Sequence, residues 1–143
     1  MSRPRGDQGT VLLLVVGLTA VLLLLVAVVV DASVVLLARR GVASAADGAA
    51  VAAAQQADAR SIRDDGLGGR LALDATVVDQ VVASYQADAR AGQPGLVLSA
   101  SVEGGTTAVV LGGRTVRLPF VGWLHVGQVR ITAEGRARSP VAR

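Results

Sequence analysis

Residues 11–30 read VLLLVVGLTAVLLLLVAVVV, twenty positions without a charge. At 1.5 Å per residue a helix of that length spans about 30 Å, the hydrocarbon thickness of a bilayer. The pattern predicts a transmembrane helix, because a helix apolar on every side needs either lipid or a large surrounding domain. Asp31 interrupts the run, ASVVLLA resumes it, and Arg39-Arg40 ends it, so residues 11–38 form the expected membrane segment behind a polar leader at residues 1–10. Asp31, Arg39 and Arg40 are its boundary charges. Asp31 marks the membrane edge or pairs with an Arg or amine on a neighbouring subunit. From Ser33 to Asp58 the chain is dominated by Ala and lacks Pro, which predicts one continuous helix from about Thr10 to about Asp58. Gly41, Ala45, Ala49, Ala53 and Ala57 recur every four residues and share one face. A row of small residues lets another helix approach closely, and it reads as a helix-packing face.

The period changes further on. Residues 59–73, ARSIRDDGLGGRLAL, are rich in turn formers and predict a connector. Asp74 is placed as the N-cap of a second helix running from Ala75 to about Arg90. Val78, Val81, Val82, Tyr85 and Ala89 form its apolar stripe, opposite Asp79, Gln80, Ser84 and Asp88. After Gly92, Pro94 and Gly95 the alternation has period two. Leu96, Leu98, Ala100 and Val102 make a first strand, then Gly104-Gly105 turns the chain into TTAVVL. Gly112-Gly113 is read as a second turn into RTVRL, and Val129, Ile131, Ala133 and Gly135 mark a last strand within residues 128–138. Short links imply antiparallel neighbours. The expected architecture is α+β: a long N-terminal transmembrane helix (11–38) continuing into an Ala-rich extension (39–58), then a small exported domain (74–143) with an amphipathic helix on about four antiparallel strands.

Composition narrows the function. Hydrophobic residues make up 52% of the chain and aromatics only 2%, so Val, Leu and Ala must build the core. A net charge of +3 is spread over interspersed Arg and acids. With no basic run and almost no rings for base stacking, nucleic-acid binding is not expected. Cysteine is absent, which excludes disulfides, thiol catalysis and Cys-based metal sites. His125 is the only histidine, and a triad with Ser99 or Ser101 has no spacing to support it. Phosphate and dinucleotide loops are missing. No enzyme activity, cofactor, metal or small-molecule substrate is expected. The scarce Phe120 and Trp123, close together between the last strands, are read as aromatic anchors that plug the small core.

A cleavable signal peptide is the rival reading of the N-terminus. Arg3 and Arg5 supply a basic start, and Ala43-Ser44-Ala45 a small-x-small site. Signal h-regions, however, run about 7 to 15 residues, so retention as an anchor is expected. Arg flanks both ends of the segment and leaves orientation nearly balanced. A short leader before a long domain favours a single pass through the cytoplasmic membrane, N-terminus inside and C-terminal domain outside.

Together the RGDQGT leader at residues 5–10, the Leu/Val run, VVVDASVVLLARRG at 28–41, SAADGAAVAAA at 44–54 and LPFVGWLHVGQVRITAEGRARS at 118–139 resemble the TadE/TadG-like proteins of the Flp (tight-adherence) pilus-assembly machinery. The resemblance implies an envelope protein anchored by its N-terminal helix that holds or seeds a surface pilus. Pilin-like members are cut after a glycine by a prepilin peptidase and carry a glutamate five residues on. Gly6 and Gly9 are the candidate cleavage positions, and the fifth residues after them are Val11 and Leu14. An uncut anchor is therefore expected over a filament subunit. The expected function is a structural or accessory component, a minor pseudopilin or assembly protein, that meets the membrane and other pilus-assembly proteins or itself through helix packing. The alternative is a membrane-tethered binding or sensing module that captures a ligand around Trp123.

Overall fold

The computed structural model describes residues 7–65, 73–120 and 127–139. Five elements follow in chain order: α1 (Asp7–Asp65), α2 (Ala75–Ala89), β1 (Val97–Glu103), β2 (Thr107–Arg117) and β3 (Gln128–Arg138). The 59 residues of α1 rise about 88 Å. The helix runs through residues 59–65, the first part of the expected connector. Gly41 and Gly48 do not break it, because flanking Ala and Leu favour the helix and tertiary packing offsets the cost of glycine.

Asp74 caps α2 as expected. Its carboxylate accepts the amide of Thr76 at 2.8 Å. That bond, with smaller help from the Thr76 hydroxyl and the amide of Val77, holds the Asp74 carboxyl below its ordinary pKa. A lowered folded pKa means that the stabilisation is present above the unfolded value and is lost as pH falls through the folded one. The melting temperature of Asp74→Asn, which caps α2 without titrating, is therefore expected to approach or overtake that of the wild type between about pH 6 and about pH 3. A wild-type lead that stays constant across this range, followed by thermal denaturation, would contradict the role given to the carboxylate.

The sheet is a meander in the order β1-β2-β3, antiparallel throughout. Gly104 and Gly105 turn β1 into β2 with φ of 59° and 71°, the left-handed pair that a primed hairpin turn requires. Among the described residues the sheet has three strands where about four are expected, because Gly112-Gly113 lies inside β2. Gly112 pairs with Leu98 on one side and Ala133 on the other, so the ladder passes through it without a break. Both helices lie on the sheet face carrying Leu98, Val110, Val116 and Ile131.

One core joins the second half of α1 to the rest of the chain. Val42, Ala46, Ala49, Ala50 and Ala53 meet Val77, Val78, Val81 and Val82 of α2 and the inner face of the sheet. The stretch expected as an extension between membrane and domain thus forms the middle of the core. Close approach replaces bulk. A Cβ placed on Gly112 would lie 2.9 Å from Val42 Cγ1. One on Gly135 would overlap the Ala46 carbonyl carbon and stand 2.5 Å from the Ala46 oxygen and the Asp47 nitrogen. On the α2 side, Gly48 receives the hydroxyl end of Tyr85, and Gly41 lies under the Gln93 side chain. Glycine in the strands and alanine in the helix are two halves of one fit.

Candidate functional site

The N-terminal part of α1, up to Val29, contributes no residue to the packed core. Its Leu and Val side chains from Val11 to Val29 are half to four-fifths exposed. Among the described residues α1 is the one helix long and apolar enough to cross a membrane, with a mean hydropathy of 3.2 over its most apolar window, which is unburied. The Thr19 hydroxyl donates to the Val15 carbonyl and the Ser33 hydroxyl to that of Val29, each at 2.8 Å. These bonds return the polar groups to the helix backbone, so that neither requires water.

The exposed and folded halves meet at Asp31. It is only 7% exposed, and its Oδ1 accepts the backbone N–H of Phe120 at 3.2 Å. The contact joins residues 89 positions apart. At the base of the same loop, Leu118 N–H donates to the Gly127 carbonyl at 2.9 Å. Asp31 thus ties the start of the link between β2 and β3 to α1. Removing the carboxylate with Asp31→Ala is expected to leave the Phe120 amide without this partner and to cost about 1–3 kcal/mol, whereas Asp31→Asn keeps an acceptor and much of the stability. Amide exchange at Phe120 reports it: rapid exchange in the Ala variant alone is expected, and equal protection in both would contradict the assignment.

The other predicted residues separate into two groups. Ala45, Ala49 and Ala53 are buried and Gly41 is half-buried under Gln93. The row does pack, but on its own chain's α2 and sheet, so it offers no open face to a partner. The side chain of Ala57 lies outside the described residues. Arg39 and Arg40 are exposed, as is Gly9 in the first turns of α1; Gly6 and Trp123 lie outside the described residues.

Phe120 does not plug the core and is 49% exposed. Its position explains this: Phe120 lies past the end of β2 at the level of Asp31, outside the cluster that Val42 to Ala53 form with α2 and the sheet. Sequence reading missed the Asp31 to Phe120 bond, whose only prior signal was an acid inside an otherwise apolar stretch.

The open side of the sheet carries a shallow groove of about 480 Å³ lined by Gly95, Val97, Ser99, Leu111, Arg130 and Thr132, among others. Its lining includes neither carboxylate nor histidine, so it holds no general base of the ordinary kinds. Beside it Arg136 bonds Glu134 and pairs with Glu103 at 3.1 Å, exposed contacts that contribute little to stability. Among the described residues no three His, Cys, Asp or Glu side chains converge as metal ligands would.

These features define a protein with a freely exposed apolar helix whose far half is built into a small α+β core. Residues 9–56 match the family model described as Tad, putative Flp pilus-assembly TadE/G-like. The match takes in the apolar run and most of the Ala-rich stretch, about a third of the chain, and it bears out the resemblance over that segment. No curated protein and no solved structure matches the chain.

Proposed function

We propose that the chain is a membrane-anchored structural component of a Tad/Flp-type pilus system, a minor pseudopilin or assembly protein that acts by contact and not by catalysis. The observation that carries this reading is a coincidence of position. The segment that matches the TadE/G-like family is the segment whose first half exposes a bilayer's length of Leu and Val. Uncut, it stays in the cytoplasmic membrane with the N-terminus inside and the α+β half outside. Contacts with other assembly proteins, or with a second copy, run through surfaces that the fold leaves open: the apolar side chains of residues 11–30 and the polar outer face of the sheet. The small-residue row is already occupied.

Deleting the gene in its native host tests the proposal. Loss of pilin from the sheared surface fraction is expected, with recovery when the intact gene is restored. Normal piliation of the deletion strain would reject it. Orientation is read separately by adding protease to spheroplasts: cleavage beyond Arg60 is expected, and a fully protected chain would reverse the topology.

A further inference from the structure

The apolar surface of α1 does not end at Asp31. Leu36 and Leu37 are 55% and 67% exposed, on the side of the helix turned away from the sheet, and the first charges beyond them are the exposed Arg39 and Arg40. Residues 11–38 rise about 42 Å, the thickness of the hydrocarbon together with both headgroup layers. Asp31 then stands at the boundary of acyl chains and headgroups, and Leu37 lies about 9 Å further out along the axis. A bilayer that covers Leu36 and Leu37 on one side of the helix reaches past the level of Asp31 on the other. Phe120 is held at that level, its amide 3.2 Å from the Asp31 carboxylate.

We propose that Pro119 and Phe120 are immersed in the acyl–headgroup boundary of the bilayer that holds α1, making the turn that follows β2 a second, shallow lipid contact. This rests on the membrane reading above. Both residues are exposed, and Leu118 beside them is half-buried. Aromatic and apolar side chains at this depth gain by leaving water while the backbone near them stays hydrogen-bonded. The same contact accounts for Asp31. A carboxylate facing acyl chains is costly, but here it is buried and the Phe120 backbone supplies an N–H. Lipid contact by the loop and burial of the acid are one arrangement.

The chain has no cysteine, so single cysteines can carry a nitroxide without background. Leu24→Cys in the apolar run, Leu111→Cys on the outer sheet face and Phe120→Cys are prepared in the full chain and reconstituted into phosphatidylcholine/phosphatidylglycerol vesicles. The ratio of collisions with oxygen to collisions with a water-soluble nickel chelate reports depth. A ratio at position 120 severalfold above that at 111, and below that at 24, is expected. A ratio at 120 equal to that at 111, with 24 in lipid, overturns this proposal alone. A water-like ratio at 24 overturns the membrane anchor and this proposal with it. Spin–spin broadening at 120, with low access for both reagents, would assign the site to a second copy and also overturn it. Independently, Phe120→Trp in a Trp123→Phe background should be quenched by lipids brominated near the headgroup more than by lipids brominated near the chain ends, and absence of quenching by either would count against it.

Discussion

Replacing Gly135 with alanine is expected to cost about 3 kcal/mol, at the upper end of the range for overpacked cores, or to prevent folding of the α+β half. The added methyl would enter the backbone of α1 at Ala46 and Asp47. A helix backbone cannot yield as a side-chain tip can, so relief would require lifting α1 off β3 and opening the core along Ala46, Ala49 and Ala53. Gly113→Ala is the matched control. Its Cβ would meet nothing nearer than the Ile131 carbonyl oxygen at 3.9 Å, an ordinary contact, and its effect should stay within about 0.5 kcal/mol. Limited proteolysis across a denaturant series, in detergent or nanodiscs, compares the two. Equal resistance of both variants would show that α1 does not pack on β3 as described.

The second large effect concerns the other end of the molecule. Val21→Arg combined with Leu22→Arg places two guanidinium groups near the middle of the apolar run, where insertion scales assign about 2.5–3.5 kcal/mol to each. Their sum is enough to abolish stable insertion, so the carbonate-resistant membrane fraction should fall to background. Neither residue touches the core: both are about three-fifths exposed and absent from the packed cluster. The protease-resistant α+β fragment should therefore persist unchanged. Undiminished membrane retention of the double variant would remove the anchor reading.

The legible parts of the fold are those with a local cause. Leu and Val without interruption, an Ala-rich continuation, Asp74 ahead of a periodic stripe and strict alternation at Ile131, Ala133 and Gly135 each prescribed an element from neighbouring residues alone. What escaped was complementarity between distant segments. A Gly-Gly pair between apolar runs reads as a turn, yet Gly112 keeps the inward phase of Val110 and Val116, and its missing side chain makes room for Val42. The row of Gly41, Ala45, Ala49 and Ala53 announced a close approach without naming the partner, and the strand glycines that allow it stand far along the chain and meet Val42 and Ala46 beside the row. Large rings usually fill cores, which points Phe120 inward, but the ring that packs against this core is Tyr85, over Gly48, and Phe120 lies past the end of β2. Asp31 carried an ambiguous sign: the same acid suits a membrane edge, a foreign cation or a loop amide, and the amide that it does accept stands 89 positions away.

Because α1 is one unbroken helix from its bare apolar half into the core, span and sheet form a lever with one stiff arm. Tilt of the buried end is then tilt of the whole α+β half, and a pull applied to the outer strands arrives at the lipid as torque instead of being absorbed by a slack tether.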